Sequence, residues 1–426
     1  MQITNSEMTT WLGCRRKWLW SYGLGLALRR TEKPLLTGRL VHEALEQWWR
    51  AVGVGGMVAP PASLVDVILD GKAPDSSVDD WAHAARSAQS LLPLTTPTQD
   101  ALAECRIVQD GVGIVGHVVQ EAARRGEVEL VDEIVSWLRS AMRGYVLRWA
   151  DDADRYEVVA VEQTLRRKIH AKKASAREKV LLGKPDVIVR NLLDGKLRVV
   201  EHKSSAARRI EDAVLDYQVD TQPRAYVSLV ESEYRERPVA VVYDFIRKKA
   251  PSLPKLVQCK RPHKGLSVPC PGCGTLDGLR GGEKALCVST APCDTSEELL
   301  VDALRMTGGD PADEVYSSML RASRQNLYFH REEVFIGQSE IDEYEGELHL
   351  VALELADARR RTAGLDPSQS TTMKVRQTFP RNPAYCRHYG RACAFTALCV
   401  QDSQEARREY EQREGYHPEY KEAGVE

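Results

Sequence analysis

Apolar and polar positions repeat along this chain with two different periods, and the switch between them marks a change in its character. From residue 5 to 50 the spacing is near-helical, with Trp11, Cys14 and Trp18, then Leu40, His42, Leu45, Trp48 and Trp49, after a start rich in Ser and Thr. Gly and Pro at 53 to 61 break this pattern. From about 62 to 150 it is again mostly helical, with Leu, Val and Trp recurring from Val131 to Trp149 and loops around Leu91 to Thr98. No catalytic residue types converge there, so this stretch reads as a helical insertion or lid.

After Asp154 the period drops to two. Tyr156 to Glu162, Val180 to Gly183, Asp186 to Arg190 and Leu197 to Lys203 are β-rich runs separated by turn residues such as Asp194 and Gly195. Residues 211 to 232 return to a helical pattern, Pro238 to Ile246 predicts another strand, 328 to 338 a further strand and 339 to 362 a helix. This order predicts an α/β fold with a mixed central sheet flanked by helices. The expected divisions are an N-terminal helical segment (1–50), the insertion (51–153), a core (154–250), a Cys/Gly/Pro-rich insertion (251–327), and a return to the core with a C-terminal helix (328–426). There is no internal repeat.

Composition narrows this little, since 43% hydrophobic and 28% charged residues describe an ordinary globular chain. A net charge of −2 exerts no global pull on nucleic acid, so a DNA surface has to come from local clusters. Two clusters exist. Arg166, Arg167, Lys168, Lys172, Lys173, Arg177, Lys179 and Lys184 form one, with Glu178 the single acid among them. Arg15, Arg16, Lys17, Arg29, Arg30 and Lys33, interleaved with Trp18, Trp20 and Tyr22, form the other. Solvated faces would look the same. Met1 to Thr10 lacks the basic and apolar regions of a secretory signal, no apolar run reaches the ~20 residues of a membrane span, and there is no Walker-type phosphate loop. The expectation is a cytoplasmic protein without a membrane anchor or an ATP motor, whose ten cysteines are metal ligands or buried thiols.

The chemistry concentrates in Gly183-Lys184-Pro185-Asp186 and Val199-Val200-Glu201-His202-Lys203. Residues two apart on a strand share a face, so Glu201 and Lys203 point one way and His202 the other. A hairpin around Asp194 and Gly195 brings Asp186 alongside Glu201, and two convergent carboxylates suit Mg²⁺ or Mn²⁺. Phosphodiester hydrolysis uses such a metal to activate water and neutralise developing charge, with a lysine positioned beside it. A surface acid and an exposed Glu/Lys pair would leave the same trace, so the reading turns on what accompanies them.

The arrangement resembles the PD-(D/E)xK nucleases of the RecB type, in which an apolar strand ends in Gly-x-x-Asp and the next carries Asp/Glu-x-Lys. Thr37-Gly38-Arg39-Leu40-Val41-His42-Glu43-Ala44-Leu45-Glu46 is similar to that family's upstream helix, and Gln222-Pro223-Arg224-Ala225-Tyr226 to its downstream Gln-x-x-x-Tyr helix. The resemblance implies a restriction-endonuclease-like core. It also implies that His42, Asp186 and Glu201 bind the metal, Lys203 assists, Gln222 binds metal water or DNA, and Tyr226 packs beside it. Pro223 suits the first turn of such a helix.

Cys14 precedes these motifs, and Cys386, Cys393 and Cys399 follow them. Four thiolates hold either zinc or a [4Fe-4S] cluster, and spacing alone does not separate the two. The resemblance favours [4Fe-4S]: CRISPR-associated spacer-acquisition nucleases, bacterial AddB and phage exonucleases place one cysteine before the nuclease motifs and three after. Those relatives commonly have two residues between the first late cysteines, whereas six separate Cys386 from Cys393 here. Such a cluster would staple the two ends together. A middle group of Cys259, Cys270, Cys273, Cys287 and Cys293 lies near His263. Cys270-Pro271-Gly272-Cys273 has the Cys-x-x-Cys form of a zinc knuckle, and the candidate Zn²⁺ ligands are that pair with two of Cys259, Cys287 and Cys293. Cys105 has no evident partner.

Three functions follow. The first is a DNA exonuclease working on ends, with single strands and 5′ to 3′ polarity implied by resemblance, its basic stretch 166 to 184 on phosphates, and a helicase or recombination protein as candidate partner. The second is a catalytically weak DNA-binding subunit of a DNA-processing complex, against which the retained Asp186, Glu201 and Lys203 argue. The third is a zinc-ribbon adaptor, which leaves the strand motif unexplained.

Overall fold

A computed structural model describes residues 1–29, 33–55, 128–169, 178–205, 217, 220–325, 327–388 and 391–412. Most of the insertion expected over 51–153 therefore lies outside the described residues, as do Cys105, Arg30, Lys172, Lys173 and Arg177.

A five-stranded sheet forms the centre. Its strands are β1 (Tyr156–Val161), β2 (Val187–Asn191), β3 (Leu197–Ser205), β4 (Ala240–Arg247) and β5 (Phe329–Phe335), in spatial order β5-β4-β3-β2-β1. β3 and β4 run parallel and the other pairs antiparallel, so the sheet is mixed. Alternation along β3 explains how both faces are covered. Leu197 and Val199 belong to one buried cluster, with Tyr243 and Phe245 from β4, while Val200 belongs to the other, with Val187, Val189 and Val242. Side chains of this size each contribute about 1.5–3 kcal/mol when fully buried.

Helices cover each face. Helix α2 (Lys33–Gly55) buries Leu40, Val41, Ala44, Leu45, Trp48, Trp49 and Val52 at steps of three and four, and packs with α3 (Val128–Arg148) on the Val200 side. On the opposite face α4 (Gln222–Tyr234) buries Ala225, Tyr226, Leu229 and Val230, and packs against α5 (Gln338–Thr362). Pro223 sits in the first turn of α4, where it costs no helical hydrogen bond.

The ends of the chain are sewn to each other and to the core. Gln2–Thr4 adds in parallel to Lys179–Gly183, which pairs with Leu165–Ile169. Leu26–Leu28 pairs with Tyr410–Gln412, so the segment predicted as helical to residue 50 contains a strand as well as α1 (Asn5–Gly13). Trp18 stacks on Phe379 at 5.8 Å and donates to Glu7, whose carboxylate also meets the buried Arg359 guanidinium at 2.6 Å. Among the described residues, no helix is long and apolar enough to cross a membrane.

Candidate active site

The hairpin expected around Asp194 and Gly195 is present, and its register sets Val187 opposite Val200, which brings Asp186 beside Glu201. Asp186 Oδ2 accepts the His202 backbone N–H at 2.7 Å, and its other oxygen lies 3.4 Å from His42 Nδ1. His42 reaches this point because it flanks the buried stripe of α2. Glu201 and Lys203, on one face of β3, form an ion pair of 2.6 Å.

Gln222, the first residue of α4, closes the group. Its amide oxygen accepts from Lys203 Nζ at 2.8 Å, and its nitrogen donates to Glu201 Oε1 and to the Tyr226 hydroxyl, both at 2.8 Å. Tyr226 in turn donates to the Lys184 carbonyl at 3.3 Å. Gly183 makes this approach possible, since a Cβ there would collide with Leu229 of α4 and touch the Tyr226 ring. The six side chains predicted as the site thus converge at one end of the sheet.

Glu162 was not among them. It follows β1 in a left-handed backbone conformation (φ 55°), which costs of order 1–3 kcal/mol in a residue other than glycine and is concentrated at functional sites. Its backbone N–H donates to the Asp186 carbonyl at 2.8 Å, and its carboxylate pairs with Lys184. One ligand-type atom each from His42, Glu162 and Asp186 lies within 4.8 Å of the others.

Packing a cation and three carboxylates into a part-buried pocket shifts their protonation. Burial pushes Glu201 up, and Asp186 adds to the shift. Burial opposes the charge of Asp186 as well, but the His42 hydrogen bond and the His42 and His202 charges hold it at about 2. Burial works against the Lys203 ammonium, yet the Glu201 carboxylate outweighs it and keeps the amine above its ordinary value. His42 behaves likewise, with Asp186 overcoming desolvation. Glu201 Oε2 is buried with no hydrogen-bond partner. A buried carboxylate oxygen without a donor is costly unless a cation meets it. This donor set of carboxylates and one imidazole suits a hard divalent ion.

His202 points to the opposite face, as the alternation requires. It lies 3.3 Å from Asp244 of β4, next to which Arg331 of β5 bridges to Asp152. This buried row of polar side chains across three strands braces the stretch of β3 whose N–H holds Asp186.

Cys14, Cys386, Cys393 and Cys399 line a single cavity of about 90 Å³, together with Lys17, Arg381 and Tyr385. Cys14 lies in the extended break after α1 rather than within a helix, and its Sγ accepts the Asn382 N–H at 3.4 Å. In the middle group, Cys259, His263, Cys270 and Cys273 converge. Cys287 packs beside them and Cys293 is exposed.

The basic clusters divide. The Arg16 guanidinium turns inward to the Phe379 and Arg376 carbonyls, and Arg29 to the Tyr410 carbonyl. Arg167 pairs with Glu345 of α5. These three hold the fold together, while Arg166 and Lys168 remain exposed on Leu165–Ile169.

The family model described as the PD-(D/E)XK nuclease superfamily matches residues 2–400. No curated protein matches the chain.

Proposed function

Because this chain belongs to the PD-(D/E)XK nuclease superfamily of metal-dependent nucleases, we propose that it is an Mg²⁺- or Mn²⁺-dependent DNA exonuclease acting on single-stranded ends, with 5′ to 3′ polarity. The single observation that carries the reading is the unpartnered, buried Glu201 Oε2 on the strand next to Asp186, whose own carboxylate converges with His42 and Glu162. Those four residues would hold the metal, which when bound supplies charge neutralisation and an acidified water. Lys203, kept protonated by Glu201, offers its ammonium to a non-bridging phosphate oxygen or to the attacking water. Gln222 fixes the Lys203 and Glu201 rotamers through its two hydrogen bonds, and Tyr226 fixes Gln222. Arg166 and Lys168 would meet the phosphate backbone, with binding that weakens as salt rises.

We further propose a [4Fe-4S] cluster on Cys14, Cys386, Cys393 and Cys399. That the four thiols face one cavity supports a shared metal centre, and the resemblance favours iron-sulfur over zinc there. A helicase or recombination protein is the partner that would feed such an enzyme its ends.

The test is degradation of end-labelled linear DNA, single- and double-stranded, beside circular DNA, with Mg²⁺ or Mn²⁺, after anaerobic purification. Linear single strands should be shortened from the 5′ end, circles spared, and Lys203→Ala inactive. Equal degradation by wild type and variant would sink the site assignment, and cleavage of circles would sink the exonuclease reading. Protein without iron would sink the cluster.

A further inference from the structure

The excursion between β4 and β5 contains a small module built on two antiparallel strands, Leu256–Gln258 and Leu286–Val288. Between these strands the buried apolar residues are Cys270, Cys273 and Ala285, which cluster with Cys287 of the second strand, and Cys259 and Leu266 pack against them. So small a cluster cannot fix a loop of this length by apolar burial alone.

We propose that Cys259, His263, Cys270 and Cys273 bind one structural zinc ion. One ligand atom from each lies within 4.8 Å of all the others. His263 Nε2 is 3.1 Å from Cys273 Sγ, and Cys259 Sγ is 3.9 Å from Cys270 Sγ. Zn–S bonds of about 2.3 Å and tetrahedral angles put sulfurs about 3.8 Å apart, close to the Cys259–Cys270 separation, and the remaining ligand atoms stand near enough to close on the same ion.

Polar groups around the sulfurs point the same way. The Gly272 N–H donates to Cys270 Sγ at 3.4 Å, and the Thr275 hydroxyl lies 3.2 Å from Cys273 Sγ. Donors aimed at sulfur stabilise thiolates, the form that ligates metal. The Cys270–Cys273 turn closes through a Gly274 N–H to Cys270 carbonyl bond of 2.7 Å. Gly274 has a φ of 69°, and a Cβ on it would run into the Tyr316 hydroxyl. With three thiolates and an imidazole, all four positions are filled by protein, so the ion serves folding and not hydrolysis. Cys287 stands outside the set, and the second half of the site is Cys259-x-x-x-His263 rather than another pair of close cysteines.

The full chain, purified without chelator or added metal, should carry zinc by elemental analysis, and Cys386→Ser should keep it, because that residue lines the other cysteine cavity. Cys270→Ser and His263→Ala should each lose most of the zinc, while His263→Cys and Cys287→Ser retain it. Cobalt exchanged into wild type should show the intense visible bands of a tetrahedral thiolate site, a readout that needs no variant to fold. Zinc retained in both Cys270→Ser and His263→Ala, zinc lost in Cys287→Ser but kept in His263→Ala, or only weak octahedral cobalt absorption would each overturn the assignment.

Discussion

The carboxylate site and the two cysteine groups place metal-ligand side chains by opposite means. Asp186, Glu201 and Lys203 are set by strand register, with Val199 and Val200 buried on the two faces beneath them and Gln222 locking them from α4. Strand register and hydrogen bonds within the protein fix their geometry. Cys259, Cys270 and Cys273 have only a small apolar cluster around them, and there a bound metal would supply the folding energy, while Cys393 and Cys399 pack against the edge of the main core and would be joined by a metal to the distant Cys14. A hydrolytic centre benefits from ligands that do not move, whereas a staple benefits from ligands that draw distant segments together.

That contrast predicts separable failures. The largest effect is expected from Glu201→Gln, which keeps the shape of the side chain and removes its charge. Steady-state cleavage should fall by about 10²-fold or more, with the thiol-bound metal unchanged, and parallel loss of that metal would break the distinction. Cys14→Ser or Cys386→Ser should do the reverse. Calorimetry should show a thermal midpoint lower by several degrees and elemental analysis a loss of iron, while protein folded in the cold keeps measurable cleavage.

Smaller effects sharpen the first half of the contrast. Glu162→Gln should raise the Mg²⁺ concentration for half-maximal activity by about tenfold, the scale seen when a metal site loses supporting groups. An unchanged metal requirement would return Glu162 to a purely structural role.

The mildest effect is on pH. Glu201 titrates above the ordinary carboxylate range because of its burial and Asp186, and His42 above its ordinary value because Asp186 outweighs its burial. In that window the folded protein binds more protons than the unfolded chain, so metal-free stability should rise as pH falls from neutral towards about 4.3. Metal binding needs both groups deprotonated and should weaken over the same interval. Melting curves with and without Mg²⁺ should therefore converge as pH drops, and a gap that widens would contradict the assignment.

The regular part of this design was legible from the residues. Alternation in β3 put Glu201 and Lys203 on one face, Asp194 and Gly195 marked the hairpin, and the stripe of α2 carried His42 to the sheet. Glu162 was not legible, because an acid after a strand is common and its aim depends on an αL backbone that no local pattern announces. Leu165–Ile169 is a strand, which the run of Arg166, Arg167 and Lys168 between its two buried apolar ends does not announce. Arg16 and Arg167 looked like phosphate contacts, but each guanidinium turns inward to acceptors hundreds or scores of residues away. Leu26–Leu28 is too short to signal itself, and its partner strand lies at the far end of the chain. In the middle group Cys270 and Cys273 were conspicuous, but the convergence of Cys259 with His263 depends on how the module folds back.

The contact between Cys14 and Asn382 spans 368 positions. At about 5–20 residues per second, a ribosome needs roughly 20–70 s to travel between them. During synthesis the tryptophan-rich segment around Trp11 and Trp18 must wait that long before Phe379 and the late cysteines emerge to cover it. Until then that apolar surface lacks its late partner, and a chain cut short before residue 379 would leave both tryptophans without the ring that packs on them.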